Sequence, residues 1–460
     1  MSSQQSAVRF RWETPVWVAV VALAVIAVVT VLLLPGGGGG KADPRPKGPG
    51  PESVVSTPFK AFTDGYDCYR IPTLVATKQG ALLALAEARL DGCGDVGDID
   101  LVLKRSFDNG RTWEPMQVLR GGGRGNRDGY GNPVPVVDAD SGLISVMYAF
   151  NTWTTEPNPK YKKDAKDAKD AKDSKEPKEI RVRGPRALHL MHSRDEGRTW
   201  TDGHNPQPQL IKEDWEWLSV GPGHGIQLAR RDMLPGRLVI AGEHRDSQGW
   251  AGAQLYYSDD AGMSWKLGAQ WEAEEDAAAP TEPTLAQLPD GSLYVNARST
   301  RTCDVDKQRL AARIVDVAAP FFPDPGFRPV TDIVAPPVSG SLLQLPKGRL
   351  LFSAPSRPGS KFTDRWRLAV RTSADGGKTW STSGTVIKAE RSGYSDLTLL
   401  PSGEVGMLYE TATGSPHGYV NFTAFTPDAL DARSEDLTRP GEAGSDASTQ
   451  NTARTQEPCG

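Results

Sequence analysis

Six short apolar runs recur between residues 80 and 410, and a glycine turn comes immediately before each of them. The runs, such as GALLALAEAR and GSLYVNAR, are rich in residues that favour strands. The six turn glycines are Gly80, Gly142, Gly236, Gly291, Gly348 and Gly403. Their successive spacings are 62, 94, 55, 57 and 55 residues, which leaves room in each repeat for four short antiparallel strands. The pattern therefore predicts an all-β chain built from six similar units.

The long second spacing contains a charged, low-complexity insertion at residues 156–180, which includes the sequence KKDAKDAKDAKDSKEPKE. Its composition suits a solvated helix, but its mixed charge and the lack of an apolar face favour a disordered loop. Residues 428–460 are also polar, and we expect a disordered tail there.

A different pattern occupies the N-terminal region. Residues 16–34 (VWVAVVALAVIAVVTVLLL) carry no charge and are long enough to cross a bilayer as a helix. Arg9 and Arg11 precede them, which favours a cytoplasmic tail at residues 1–15 and export of the rest of the chain. Residues 35–52 are rich in Gly and Pro, as in flexible stalks. We therefore expect a single-pass cell-membrane protein, or a secreted protein if the apolar segment is a long signal that is cleaved.

Four copies of an eight-residue motif, Ser-x-Asp-x-Gly-x-Thr/Ser-Trp, follow turn glycines at similar distances. They read SFDNGRTW from Ser106, SRDEGRTW from Ser193, SDDAGMSW from Ser258 and SADGGKTW from Ser373. From turn glycine to motif Asp the distances are 28, 53, 24 and 27 residues, and the charged insertion accounts for the 53. The same register makes IVDVAAPF, which begins at Ile314, a decayed copy. The motif resembles the Asp box of sialidases and other Asp-box propellers. The two repeats together predict one six-bladed β-propeller domain at residues 53–427.

Chemically distinctive side chains fall at equivalent places in these units. The turn glycines and the Asp boxes lie at one end of the antiparallel strands. Residues nine or ten before a turn glycine, or seven after it, then lie at the opposite end, as do the loops between the second and third strands. Seven polar side chains occupy such positions: Arg70, Asp95, Glu282, Arg298, Arg365, Tyr394 and Glu410. Their shared placement predicts one binding site on the rim opposite the Asp boxes.

The segments around these residues resemble the signature segments of bacterial-type exo-α-sialidases (neuraminidases). YRIPTL resembles the signature whose arginine, here Arg70, binds the substrate carboxylate. ALAEARLDGCGDVGDIDLVLKRS resembles the segment of the acid/base Asp, and its distance from Arg70 favours Asp95. Arg89 of the same segment is a further candidate for substrate binding. The other carboxylates of this loop are Asp91, Asp98 and Asp100.

Three later segments extend the resemblance along the chain. TEPTLAQLPDGSLYVNAR is similar to the segment that carries a catalytic Glu and a second arginine, which implies Glu282 and Arg298. RWRLAVRTSADGGKTW resembles the segment of the third arginine, which implies Arg365. Three nearby arginines remain alternatives to it: Arg357, Arg367 and Arg371. SGYSDLTLLPSGEVGMLYE resembles the nucleophile segment, which implies Tyr394 as the nucleophile and Glu410 as the residue that orients the first arginine.

The resemblance implies a retaining enzyme that hydrolyses terminal sialic acids of glycoproteins, glycolipids or oligosaccharides. Three arginines suit the carboxylate on the anomeric carbon, because guanidinium forks pair with carboxylates in bidentate fashion. That carboxylate would repel an anionic nucleophile, whereas a phenol is neutral at pH 7. Tyr394 would then attack, Glu282 would take its proton, and Asp95 would act as acid and base. The resemblance implies no cofactor, and no Cys or His spacing predicts a metal site.

The remaining composition narrows the partners. The net charge of -4 has both signs interspersed, which argues against nucleic-acid binding. We expect a monomer that binds sialylated glycans as substrates and inserts residues 16–34 into a membrane. Cys68 and Cys93 flank the same predicted hairpin and are a candidate disulfide pair in an exported chain. The alternatives are a trans-sialidase, an intramolecular trans-sialidase and a non-catalytic Asp-box propeller that binds glycans.

Overall fold

A computed structural model describes most of the chain beyond the N-terminal region. The described residues are 54–157, 179–203, 208–229, 236–273, 278–300, 309–358, 365–412 and 417–437. All of them belong to one compact unit, Gly48–Gly460, which is distinct from Met1–Lys47. The predicted tail, membrane segment and stalk at residues 1–15, 16–34 and 35–52 lie outside the described residues. Among the residues that are described, no helix has the length and apolar character needed to cross a membrane.

The described part is almost entirely β-structure. Its first twelve strands are β1 Ser56–Lys60, β2 Cys68–Ala76, β3 Leu82–Arg89, β4 Ile99–Ser106, β5 Gln117–Arg120, β6 Asp128–Val137, β7 Ile144–Pro157, β8 Glu179–Ser193, β9 Trp215–Val220, β10 Ile226–Gln227, β11 Leu238–Asp246 and β12 Ala251–Ser258. The other strands are β13 Lys266–Glu272, β14 Pro280–Gln287, β15 Leu293–Ser299, β16 Arg309–Ile314, β17 Arg328–Pro329, β18 Ser341–Gln344, β19 Leu350–Pro358, β20 Arg365–Ser373, β21 Ser383–Leu399, β22 Val405–Thr411, β23 Tyr419–Phe425 and β24 Glu435–Asp436. Among the described residues, the helices are α1 Pro427–Ala432 and two 3-10 turns, Pro208–Leu210 and Pro346–Gly348.

Antiparallel pairing gathers the strands into successive groups along the chain. The groups are β2–β5, β6–β8, β9–β13, β14–β17, β18–β21 and β21–β23 with β1. Strand β21 serves two groups, because residues 384–391 pair with β20 and residues 392–399 pair with β22. Strand β1 pairs with β23, with Ser56 opposite Phe422, so the start of the domain completes its last group. The sequence therefore predicted an all-β fold correctly, although β7, β8 and β21, with 14, 15 and 17 residues, are longer than expected.

The core lies between neighbouring groups. All eight residues of β3 are buried, which explains why its sequence does not alternate between apolar and polar positions and why residues 82–86 are all apolar. Leu83 and Leu103 of the first group pack with Ile144 and Met191 of the second. The sheets therefore pack against neighbouring sheets through their faces. The loops connect the strand ends.

The Asp boxes are self-contained turns at one end of the strands. In the first box, Asp108 Oδ1 accepts hydrogen bonds from Ser106 Oγ at 2.8 Å and from the Thr112 amide at 2.9 Å, and Oδ2 accepts one from Thr112 Oγ1 at 2.6 Å. The boxes centred on Asp195, Asp260 and Asp375 repeat this network. The decayed copy keeps less of it, since Asp316 Oδ1 accepts the amide of Ala318 at 2.9 Å. These turns stabilise the end of the strands that lies away from the candidate site.

Two predicted boundaries and one predicted number of strands need correction. The predicted disordered insertion is too wide, since β7 continues to Pro157 and β8 begins at Glu179; residues 158–178 lie outside the described part. The predicted disordered tail also begins too early, because Leu430 of α1 and Leu437 are buried and β24 pairs with β21; residues 438–460 lie outside the description. The second group has three strands within the described residues and not four. Pro208, in the 3-10 turn that follows its Asp box, has no amide hydrogen to donate to a strand ladder.

Candidate active site

The predicted site residues meet at the strand ends opposite the Asp boxes, and β-bulges direct several of them there. Four strands that begin a group each contain one extra residue relative to their partner. The bulges lie between Arg70 and Thr73, Gly131 and Val134, Thr281 and Thr284, and Ser392 and Ser395. A bulge bends its strand and re-aims the local side chains. Glu282 and Tyr394 lie within bulges, and Arg70 lies at the start of one.

Tyr394 and Glu282 form the centre of the site. The Tyr394 hydroxyl donates a hydrogen bond to Glu282 Oε1, and Arg298 Nη1 lies 3.2 Å from Glu282 Oε2. Only 7% of Tyr394 is exposed. Burial and then the Glu282 carboxylate raise the pKa of Tyr394 well above its usual value, although nearby arginines oppose this. The phenol is therefore neutral and already hydrogen-bonded to a carboxylate that can accept its proton.

Arginines cover the ring of this tyrosine. The guanidinium carbons of Arg70 and Arg365 lie 5.2 and 5.4 Å from the ring centroid. Arg365 Nη2 donates to the Pro337 carbonyl at 3.2 Å, and its buried Nε has no partner in the described part of the structure. Arg70, Arg298 and Arg365 thus form a cationic cluster around Tyr394. Such a cluster can bind a carboxylate.

The alternatives to Arg365 lie elsewhere. Arg367 Nη2 pairs with Glu435 at 3.0 Å, near the C-terminal strand. Arg371 Nη2 donates to the Val334 carbonyl at 3.3 Å. The side chain of Arg357 lies outside the described part of the structure. Of the described candidates, Arg365 is the one that contacts Tyr394.

Glu410 ties two strands of the site together. Its fully buried carboxylate accepts hydrogen bonds from Arg70 Nε at 3.0 Å, the Ile71 amide at 2.8 Å and the Tyr394 amide at 3.1 Å. Burial alone would raise the pKa of Glu410, but Arg70, His417 and the Ile71 amide together outweigh it and hold this pKa far below its usual range. Glu410 therefore remains ionised and fixes Arg70 relative to Tyr394.

Asp95 lies on the loop between β3 and β4, with 72% of its side chain exposed. Its Oδ1 accepts a hydrogen bond from Arg89 Nη1 at 2.8 Å and lies 3.5 Å from Arg70 Nη1. Desolvation would raise the pKa of Asp95, but Arg89 and then Arg70 outweigh it and hold this pKa below its usual value. A disulfide joins Cys68 to Cys93, two residues before Asp95, which confirms the candidate pair.

The other carboxylates of this loop have different roles. Asp91 pairs with Arg124 and with Arg181 on the surface. Asp98 accepts the Arg127 amide at 2.9 Å and the Trp153 indole at 3.1 Å. The structure therefore brings Asp95, and not these residues, to the arginine cluster.

Asp100 is also held away from the arginine cluster. It accepts the hydroxyl of Tyr66 at 2.7 Å, and burial raises its pKa. Arg89, predicted to bind substrate, is buried and is held by Glu87 on one side and by Cys93 and Asp95 on the other. Direct contact of Arg89 with a substrate stays a prediction.

Two buried glutamates at the site were not predicted. Glu87 Oε1 accepts the Asn132 amide at 2.9 Å, and Glu243 Oε2 accepts the Glu282 amide at 3.1 Å. They lie seven residues after the turn glycines Gly80 and Gly236, which is the offset that identified Arg298 and Glu410. The repeat register alone could have found both residues.

The segment GPGHGIQL, at residues 221–228, interrupts the pairing partner of β11 between β9 and β10. His224 Nδ1 lies 2.8 Å from Asp396 Oδ1, two residues beyond Tyr394. Burial would lower the pKa of His224, but the Asp396 carboxylate outweighs it and raises this pKa. The segment therefore contacts β21, the strand that carries Tyr394, through the His224–Asp396 pair.

Comparisons with known proteins agree with this geometry. Residues 80–407 match the protein family described as BNR repeat-like domain. An exo-alpha-sialidase of Aspergillus fumigatus is 30% identical over 376 residues, which cover 78% of this chain and 82% of that protein. A sialidase of Micromonospora viridifaciens is 30% identical over 398 residues, which cover 82% of this chain and 55% of that longer protein.

A solved structure gives the same result. The Hadza microbial sialidase Hz136 is 27% identical to this chain, with a TM-score of 0.63 over 82% of this chain and 68% of that chain. The chain therefore belongs to the exo-α-sialidase family of glycoside hydrolases and contains that family's BNR repeat-like domain.

Proposed function

We propose that this protein releases terminal α-linked sialic acids from glycans, with retention of configuration and with Tyr394 as the nucleophile. The observation that carries the proposal is the hydrogen bond from the Tyr394 hydroxyl to Glu282 inside a cluster of three arginines. A neutral phenol can approach an anionic sugar, and a carboxylate beside it supplies the base. Tyrosine is the nucleophile by which sialidases differ from glycosidases that use two carboxylates.

The arginine cluster would bind the sugar carboxylate. Arg70 and Arg298 are each paired with a glutamate, whereas Arg365 has no carboxylate partner among the described residues. The cluster therefore retains positive charge for a ligand. Binding there would place the anomeric carbon, which carries the carboxylate, over the Tyr394 oxygen.

Asp95 would donate a proton to the departing glycosidic oxygen and would later remove one from water. In the free protein Arg89 and Arg70 favour its ionised form. A substrate carboxylate on Arg70 would offset part of this positive charge and raise the pKa of Asp95. Substrate binding would thus prepare the acid for its first step.

We also propose that the strand groups form six blades of a propeller. The register of the turn glycines, the groups β2–β5 to β21–β23 and the closure of the last group by β1 support this arrangement. The predicted anchor at residues 16–34 would hold the catalytic domain outside the cell. We propose in addition that the protein is a monomer. A protease-protection assay tests this topology, because protease added to intact cells should digest an extracellular domain. Digestion of the domain only after the cells are lysed would refute it.

The test of function is hydrolysis of an aryl sialoside and of sialyllactose by the full chain, followed by NMR. We expect the α-anomer of free sialic acid as the first product. The Tyr394→Phe variant should lose at least roughly 100-fold in kcat while keeping its fold. Wild-type activity in Tyr394→Phe would refute the assignment of Tyr394 as the nucleophile. Transfer to an acceptor or an anhydro sugar would identify a trans-sialidase, and binding without turnover would identify a glycan-binding module.

A further inference from the structure

Three buried glutamates occupy the same place in three different strand groups. Glu87, Glu243 and Glu410 lie on the second strands of their groups, seven residues after Gly80, Gly236 and Gly403. All three side chains are buried at the rim that carries the site. Their common offset shows that one position of the repeat has been given a carboxylate in each of these groups.

Each of these carboxylates accepts an amide from the bulge of the next group. Glu410 accepts the Ile71 amide at 2.8 Å, Glu87 accepts the Asn132 amide at 2.9 Å, and Glu243 accepts the Glu282 amide at 3.1 Å. The last group is followed by the first, because β1 and β2 adjoin β23 and β22. The same contact therefore recurs at three junctions between consecutive groups: last to first, first to second and third to fourth.

The amides that receive this contact belong to backbone in an unusual conformation. Ile71, Asn132 and Glu282 have φ angles of 55°, 50° and 47°. A residue with a side chain is strained in this left-handed region and persists there only when its surroundings hold it. A bulge also removes its amide from the regular ladder, so the amide needs another acceptor. The glutamate supplies both the acceptor and the restraint.

We propose that this contact is a repeated device that positions site residues, and that Glu243 is the positioning residue of Glu282. Glu410 already shows the arrangement, since it holds both Arg70 and the Ile71 backbone. Glu87 holds the Asn132 backbone and, on its other oxygen, Arg89, which in turn holds Asp95. Glu243 fixes the backbone from which the Glu282 carboxylate reaches Tyr394. The inference rests on the proposed role of Glu282 as the base.

The position of Glu243 is unfavourable for a residue that serves only packing. It is 8% exposed, and its carboxylate lies near the carboxylate of Glu282. Burial and then repulsion by Glu282 raise the pKa of Glu243 to about 7. A neutral side chain would avoid both costs. What the glutamate supplies that an apolar residue lacks is an acceptor for the Glu282 amide.

The experiment compares Glu243→Ala with Glu243→Gln in the full chain, because Gln retains an acceptor oxygen and Ala does not. We expect kcat on an aryl sialoside to fall roughly 10- to 100-fold in Glu243→Ala with KM within about 3-fold of wild type. Glu243→Gln should recover kcat to within about 3-fold of wild type. Glu196→Ala is the matched control, since Glu196 is a buried glutamate that accepts a hydrogen bond from Thr77 at the Asp-box end.

Equal kcat losses in the Ala and Gln variants would overturn the inference, as would wild-type kcat in Glu243→Ala. An equal fall of kcat in Glu196→Ala would show that any buried glutamate has this effect, and would overturn it too. If Glu243→Ala does not fold, the kcat of Glu243→Gln against Glu243→Met decides by the same criterion. Full activity in Glu282→Gln would instead refute the proposed function, so the two failures are distinguishable.

Discussion

Replacing Cys68 and Cys93 together by serine should detach the loop that carries Asp95 from the strand that carries Arg70. Cys68 is the first residue of β2 and lies two residues before Arg70, and Cys93 lies two residues before Asp95. The Cys93 carbonyl also accepts Arg89 Nη1 at 2.5 Å, and Arg89 holds Asp95. Asp95 itself is exposed and has little packing of its own. The cross-link therefore defines where its loop begins.

The magnitude follows from the loop that the disulfide closes. For a sequence separation of 25 residues, the loss of loop-closure entropy in the unfolded chain corresponds to roughly 3.5 kcal/mol of stability. Activity should respond unequally to the change. A displaced acid should cost roughly 10- to 100-fold in kcat/KM on sialyllactose, whose leaving group needs a proton. An aryl sialoside, with a good leaving group, should lose much less.

The assay measures kcat/KM on both substrates and the free energy of unfolding for Cys68→Ser/Cys93→Ser. The double variant Cys303→Ser/Cys459→Ser replaces the other two cysteines of the chain and is the control for loss of sulfur. Asp95→Ala supplies the pattern expected of a missing acid. Equal losses on the two substrates, or unchanged kinetics in a destabilised protein, would refute the idea that the disulfide places Asp95.

Three further outcomes test other parts of the molecule. Arg365→Lys should raise KM for an aryl sialoside roughly 10-fold, because an ammonium group cannot form a two-pronged pair with a carboxylate; an unchanged KM would contradict its proposed role. Asp375→Ala should lower the free energy of unfolding by about 1 kcal/mol without changing kcat. Hydrogen bonds with Thr379 lower the pKa of Asp375 to about 2, so this difference should be present above roughly pH 4 and vanish as the pH falls towards 2. Glu243 has its pKa raised from 4.5 to about 7, so wild type should lose stability as pH rises through this interval. Glu243→Gln should therefore gain up to roughly 3 kcal/mol relative to wild type between pH 5 and pH 8, as chemical denaturation would show.

The repeat register explains why much of the site was predictable. Turn glycines and Asp boxes place strand ends to within a residue or two, so the rim positions of Arg70, Glu282 and Tyr394 follow from counting. The choice of Asp95 among four nearby carboxylates came from the resemblance, and the geometry around Arg89 agrees with it. The periodicity predicts these positions because each unit repeats the same order of strands and turns.

Features that break the repeat were not predictable in the same way. A bulge adds one residue without any change in composition, so the left-handed backbone of Ile71 and Glu282 left no trace in the sequence. Average polarity concealed Leu430 and Leu437, two leucines that order the first part of the tail. Glu243 was within reach of the counting rule, since it lies seven residues after Gly236.

The pairing of β1 with β23 has a consequence for synthesis of the chain. Ser56 and Phe422 are partners across almost the whole domain, so the last strand group cannot be completed until the C-terminal strands have left the ribosome. Until then the edge of β1 and the surfaces that face its group remain uncovered. The Asp-box turns close within eight residues and can form during translation, whereas this final pairing depends on the slowest kind of contact. Loss of residues 56–60 would leave β23 as an open edge, and an open edge recruits other chains.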